Sequence, residues 1–452
     1  MNREGFRKKA TFRILATAFT LVAGVFGLAT SSFAQIENVL YKFAGATDGG
    51  FPLASLLFDR AGNLYGTSSQ GGDLSGCALR GCGVVYRLSP NSTKGWRETV
   101  LYTFKDGTDG AAPVAGLIAD RAGNLYGTAT GAGDLGCNPP DGCGIVFKLS
   151  HTTSGWKQTV LYTFDGSPHG RGPSASLIFD SAGNLYGTAA VGGNTQKCFT
   201  NGCGIVFKLS PSPTGWKQKV LHTFSGGSDG AYPQAGVVFD AGGNLYGTTT
   251  NGGNNLFTCG GIFAGCGVVF ELSPNSTGGW KETVLHTFSG GKDGALPVAG
   301  LIFDTAGNLY GTTSAGGGAA NCQECGLVFK LSHTSSGWKE NVLHTFTCCS
   351  GGGMPHAGLI RDTAGNLYGT ASEFGDMTAC NSGCGVVFKL SRLSGGGWKE
   401  TVLHAFGNSD GGAPYASLIF DAAGNLYGTT AGGGNLSDCF SAGCGVVFQI
   451  VP

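Results

Sequence analysis

The chain of 452 residues carries 28 basic and 28 acidic side chains, which leaves no net charge and no electrostatic case for nucleic acid or an anionic membrane as partner. Glycine fills 83 positions, but 11% aromatic residues set in periodic apolar runs give more surface to bury than a disordered chain carries.

Residues 1–34 read as a secretory leader. Arg3, Arg7, Lys8, Lys9 and Arg13 form a basic head, an uncharged and mostly apolar run follows over 14–28, and Ser32 and Ala34 suit cleavage after Ala34. An uncleaved anchor is the alternative, but the run is short for a span of about 20 residues. Removing five basic residues and one acidic one leaves the mature chain at a net charge of −4, with no membrane span. The expected location is periplasmic or secreted.

Next come residues 37–43, ENVLYKF, a strand without neighbours in the local sequence. The rest of the chain repeats. Close copies of the phrase DxAGNLYGT open at Asp59, Asp120, Asp180, Asp240, Asp304, Asp362 and Asp421, at steps of 58 to 64 residues. Repetition at that length marks one supersecondary unit used many times. Each unit holds four strand candidates, in the fifth copy at 299–304, 308–313, 326–331 and 340–346. All are short, rich in β-branched and aromatic residues, and bounded by Gly, Pro, Asp or Ser. The Asp-x-Ala-Gly-Asn stretch is a turn, with the carboxylate as cap and Gly supplying the positive φ. Read instead as calcium ligands, these aspartates lack the further carboxylates a calcium loop needs.

Seven units of four strands predict an all-β protein, a seven-bladed β-propeller in a single domain over 35–452. The termini agree. The chain starts with a fourth strand lacking its first three and stops after a third strand at Pro452, so the N-terminal strand is expected to complete the last blade and close the ring. A β-solenoid is the runner-up, and it would need caps that the sequence does not show.

The phrase LIFDxAGNLYGTTxxGG…CGxVFKLSP…GWKETVLHTF resembles the Gloeo/Verruco (GloVer) tandem-repeat proteins of bacteria over essentially the whole mature chain. The resemblance implies an extracytoplasmic protein, often with a C-terminal sorting tail. This chain departs from that pattern by ending directly after a blade strand, so anchoring by such a tail is not expected.

Sixteen cysteines in an exported chain point to disulfides. Fourteen fall as one pair per unit: Cys77/Cys82, Cys137/Cys143, Cys198/Cys203, Cys259/Cys266, Cys322/Cys325, Cys380/Cys384 and Cys439/Cys444. Each pair lies between the second and third strands, and two thiolates per unit are half a zinc site, so local staples are expected rather than metal. Cys348 and Cys349 are adjacent, either a strained vicinal disulfide or a pair of thiols. Strand direction places all sixteen on the face that also carries the connections between blades. Rigid, stapled loops lose less entropy on binding, which makes this the expected binding face.

Catalytic motifs are missing: no Gly-x-Ser-x-Gly elbow between a strand and a helix, His-Glu-x-x-His helix or phosphate loop is read. No catalytic residue, metal or cofactor is expected. His222, His286, His344 and His404 share one position on separate outer strands, and Asp48, Asp109, Asp229, Asp293 and Asp410 in the connections read as D-G turns or as a ring at the channel mouth. Binding candidates come from positions where one copy departs from the others. Blade six supplies His356, Glu373, Phe374 and Asp376, its neighbour Tyr415, and blade four Gln234. Two functions follow. The favoured one is a monomeric, non-catalytic binding or scaffold module for a protein or carbohydrate (glycan, peptide or envelope component). The alternative is a metal-dependent lactonase- or lyase-like enzyme, which would need inward carboxylates where the inner strands carry Ala, Ser, Gly, Leu and Ile.

Overall fold

A computed structural model describes residues 36–452, apart from loop positions 76, 78–79, 94, 138–140, 197, 199–200, 254–258, 260–264, 319–324, 349, 379, 381–382, 438 and 440–441. The expected leader, Cys322 and Cys349 therefore lie outside the described residues.

Blade one shows how the repeat folds. Its strands are Leu57–Phe58, Leu64–Ser68, Val84–Asn91 and Gly95–Thr103, an antiparallel meander from the axis outward. Asp59 builds the first turn: one carboxylate oxygen accepts from the amides of Ala61 and Asn63 at 2.8 and 2.9 Å, the other from Asn63 Nδ2 at 2.7 Å and the Tyr65 hydroxyl at 3.1 Å. Burial alone would raise its pKa, but these donors hold it below the usual carboxylate range. The Asp, Asn and Tyr of the repeated phrase are thus one hydrogen-bonded unit. Its Gly is required too: a Cβ on Gly127 would sit 2.7 Å from the Phe147 ring, which crosses the second strand from the third.

The inner strand pairs over two residues rather than the six expected. In blade five only Ile302 and Phe303 join the ladder, opposite Tyr310 and Leu309. Beyond them the second strand turns its bonding capacity to the next blade, and the buried Thr312 hydroxyl donates to Ala357 O at 3.1 Å. The same bond runs at every junction, from Thr67 to Ala115, Thr128 to Ala175, Thr188 to Ala235, Thr248 to Ala299 and Thr370 to Ala416. It closes from Thr429 to Ala54 at 3.1 Å.

Seven four-stranded antiparallel sheets make a β-propeller. The last contains Ile419–Phe420, Leu426–Thr430, Val446–Val451 and, as its outermost strand, Ile36–Lys42. Register runs from Ile36 opposite Val451 to Lys42 opposite Val446. The core lies between blades. Tyr65, Val85 and Leu101 of blade one pack on Leu117, Leu125 and Phe147 of blade two, and Tyr427 and Val447 of blade seven on Leu56 and Leu64 of blade one. At the axis the blades meet through small residues. A Cβ on Gly116 would lie 2.9 Å from Ser176 Oγ and 3.2 Å from Ser55 O, and one on Gly358 3.1 Å from Ser417 Oγ.

Candidate functional site

Each connection between blades is wedged against the loop that precedes it. The amides of Phe51, Ala112, Gly172, Tyr232, Leu296, Met354 and Ala413 donate to the carbonyls of Cys444, Cys82, Cys143, Cys203, Cys266, Cys325 and Cys384. The cysteine loops and the connections therefore form one surface. Six disulfides lie within single loops: Cys77–Cys82, Cys137–Cys143, Cys198–Cys203, Cys259–Cys266, Cys380–Cys384 and Cys439–Cys444.

The seventh differs. Cys325 bonds to Cys348, 23 residues on, with Cα atoms 5.4 Å apart. This replaces both the expected Cys322–Cys325 staple and the Cys348–Cys349 pair. The reason lies in one position of the connections, occupied by Gly45, Asp106, Gly166, Gly226, Gly290, Cys348 and Asn408, all at positive φ. Elsewhere a glycine there packs on the neighbouring disulfide. A Cβ on Gly226 would lie 2.6 Å from Cys198 Sγ and 3.0 Å from Cys203 Sγ. Put a thiol at that position and it enters the bond itself.

Among the candidate side chains, the structure brings together those of blades six and seven. His356 follows the connecting Pro355 and is largely buried. Its Nδ1 lies 2.9 Å from Met354 O and 2.9 Å from Ser372 Oγ, while burial holds its pKa below that of free histidine. Tyr415 packs on it edge-on, ring centroids 5.0 Å apart. Burial first, then the charge of Glu373, pushes the Tyr415 hydroxyl up. Glu373 is held by a two-way backbone bridge to Gly353. Phe374 sits at φ 63°, where the equivalent residues include Gly71, Gly192, Gly252 and Gly433, a costly conformation for an aromatic residue. Asp376 instead caps its own turn, accepting from Thr378 N and Oγ1 at 2.8 and 2.6 Å. Gln234 stands apart on blade four and accepts from Thr250 Oγ1 at 3.2 Å.

The sequence reading overlooked the apolar residues of this face. Leu74, Leu135, Met377 and Leu436 are 43%, 43%, 48% and 38% exposed. They occupy one position, after the turn-capping Asp73, Asp134, Asp376 and Asn435, on blades one, two, six and seven. Because the ring is closed, those blades are contiguous. The signal was present as GDL, GDL, GDM and GNL at equivalent places.

The connecting-loop aspartates do not ring the channel. They point to the rim, where each junction joins an outer-strand Tyr or His to the next blade. Tyr41 and Tyr102 donate to Asp48 and Asp109 at 3.0 and 2.7 Å, and His404 Nε2 lies 3.0 Å from Asp410. His286 Nε2 lies 3.6 Å from Asp293 and 3.9 Å from Glu340, and His344 Nε2 3.4 Å from Glu400. Burial pushes the carboxyls of Glu98, Glu282, Glu340 and Glu400 up to about 7 and the His344 imidazole down to about 4. Glu37, His404 and Asp410 bring donor atoms within 4.8 Å of one another, a set able to hold a divalent cation on the rim.

Among solved structures, the chain is similar to a luciferin-regenerating enzyme, with 16% identity, a TM-score of 0.44, and 77% of this chain and 92% of that one covered. It is also similar to a Trichoderma reesei protein of Carbohydrate-Active Enzymes Family AA12 in its calcium structure, with 12% identity, TM-score 0.42, and coverage of 93% and 96%. A protein of unknown function from Dyadobacter fermentans DSM 18053 shares 12% identity at TM-score 0.42, with coverage of 80% and 96%. No curated protein matches the chain. The family profile described as Gloeobacter/Verrucomicrobia repeat matches residues 24–195, 136–266 and 256–452.

Proposed function

The chain belongs to the Gloeobacter/Verrucomicrobia repeat family, and from that premise we infer that it is an exported, monomeric binding or scaffold module that engages a glycan, peptide or envelope component through its stapled face. The observation that carries this reading is rigid presentation. Four exposed aliphatic side chains stand on contiguous blades, each fixed by a capped turn and followed within five residues by a disulfide cysteine. Such loops give up little entropy on binding. The His356–Tyr415 pair lies on the same face, with Phe374 on a neighbouring loop, and adds aromatic surface and one partly buried imidazole. At the axis, by contrast, the residues in mutual approach are serines and glycines, which supply neither a general base nor a carboxylate ligand. Seven disulfides fit an oxidising compartment, in keeping with export.

Two experiments test the reading. Oxidised protein should retain envelope polysaccharide or peptidoglycan fragments in a pull-down, and Leu74→Asp with Leu436→Asp should abolish retention without lowering the melting temperature. Retention unchanged by that double substitution counts against the stapled face. Metal analysis of the purified protein addresses the enzymatic alternative: one tightly held divalent ion per chain, needed for hydrolysis of a lactone, would favour catalysis.

A further inference from the structure

The opposite face holds a cleft of about 490 Å³ between blades one and two, with Tyr65 and Ala119 in its lining. In five blades a phenylalanine at the end of the inner strand stacks edge-on against the second-strand tyrosine of the preceding blade. The pairs are Phe58 on Tyr427, Phe179 on Tyr126, Phe239 on Tyr186, Phe303 on Tyr246 and Phe420 on Tyr368, at 5.0 to 5.2 Å between centroids and 81 to 88° between planes. Blade six places Arg361 there, close enough for its charge to act on Tyr310. Blade two has Ala119. Tyr65 has no phenylalanine on it and lines the cleft, 8% exposed against 5–6% for the five tyrosines that a phenylalanine covers, while Trp156 packs on it at 6.4 Å.

Arginines border the same cleft. Arg60 and Arg121 follow the turn aspartates of blades one and two, where the other five copies have Ser181, Ala241, Thr305, Thr363 and Ala422. Both are exposed, and among the described residues neither forms a salt bridge. Asp59 and Asp120 also line the cleft, but their oxygens are taken up by the turn donors of their own blades. An aromatic vacancy and two basic groups therefore occur together at the one junction where the repeat departs from itself in both respects.

We propose that this cleft binds a small aromatic carboxylate, its ring taking the place of the absent phenylalanine against Tyr65 and its carboxylate lying between Arg60 and Arg121. The ring would gain the edge-on aromatic contact that the fold uses at five other junctions, and the acid would gain charge-assisted hydrogen bonds. The volume is in the range of small-molecule sites. This site lies on the face away from the stapled loops and does not depend on what they bind.

The probe is 3-phenylpropanoate, titrated by calorimetry and followed by the fluorescence of Trp156 beside Tyr65. Saturable one-to-one binding is expected. Ala119→Phe restores the residue that the other blades use, so it should fold with an equal or higher melting temperature and lose binding by at least about tenfold. Arg60→Ala with Arg121→Ala should weaken the acid by about tenfold or more and leave neutral 3-phenylpropan-1-ol unaffected. Absence of saturable binding at millimolar concentration overturns the proposal, and so does undiminished binding by a folded Ala119→Phe or Ala119→Leu variant. Equal losses of acid and alcohol in the double arginine variant would overturn the carboxylate assignment.

Discussion

Glu340 shows what a repeated rim contact costs when its residue can ionise. The side chain is packed against the preceding blade, facing His286 and Asp293, and burial is the main cause of its pKa rising to about 7. Glu282 faces His222 and Asp229, Glu98 faces Asp48, and Glu400 faces His344, with the same result. A carboxyl with a raised folded-state pKa keeps its proton while the unfolded chain loses it. Stability therefore falls as pH rises from about 4.5 to about 7 and levels off above. The depressed pKa of His344 acts in the opposite sense, removing stability as pH falls from about 6.5 towards 4. Two blades already avoid the carboxylate: Gln158 donates to Asp109 O at 2.7 Å and Gln218 to His169 O at 2.9 Å, each amide oxygen accepting from a tyrosine. Glu282→Gln, Glu340→Gln and Glu400→Gln combined should raise the melting temperature at pH 8, leave it nearly unchanged at pH 4, and flatten the profile between. Melting curves across that range check it. None of this was legible in the sequence, because Glu and Gln alternate at one position and only the assembled junction shows that the position is buried. Ala119 was hidden for a similar reason. In LIAD among copies of LIFD it reads as drift until the stacking partner on the preceding blade is known.

Individual strands were easier to read than their connections. Asp, Gly, Asn and Tyr at fixed spacing specify a turn and the strand after it, and all four residues act within six positions of one another. The innermost strand was overestimated because its apolar residues pack between blades instead of pairing along a ladder. The blade-five disulfide could not be read locally at all, since Cys325 and Cys348 belong to different blades and meet only through the left-handed corner at Cys348. Non-reducing digestion and mass mapping should recover a peptide joining Cys325 to Cys348. Of the sixteen cysteines, only Cys322 and Cys349 then remain outside the seven bonds. Changing Cys348 to Gly, the residue at four other copies of the corner, should return Cys325 to Cys322. The long loop contributes about 3 kcal/mol in the chain-entropy account and a short staple about 2. That variant should therefore lose only about 1 kcal/mol, read as a small fall in denaturation midpoint. A map showing Cys322–Cys325 in the parent protein would overturn the assignment.

At the scale of the whole molecule, closure depends on a strand made first and placed last. Asn38 donates to Gln449 across 411 residues, and Phe43 lies fully buried between the last blade and the first. Deleting residues 35–44 would open an edge on blade seven and uncover that cluster, so the truncated protein should melt well below the parent or aggregate. An unchanged melting temperature would count against a closed ring. The sequence disclosed this closure because a split complement of strands at the two termini is visible without any contact map. The same arrangement decides how the molecule would meet a mechanical load. Ile36 and Val451 are opposite one another at one end of an antiparallel pair, so tension applied through the two chain ends would part that ladder rung by rung, beginning at this pair, instead of shearing all its bonds together. A protein held by both ends would yield at the seam of blade seven while its six other sheets stayed intact. Held by either end alone, the ring would carry no strain at all.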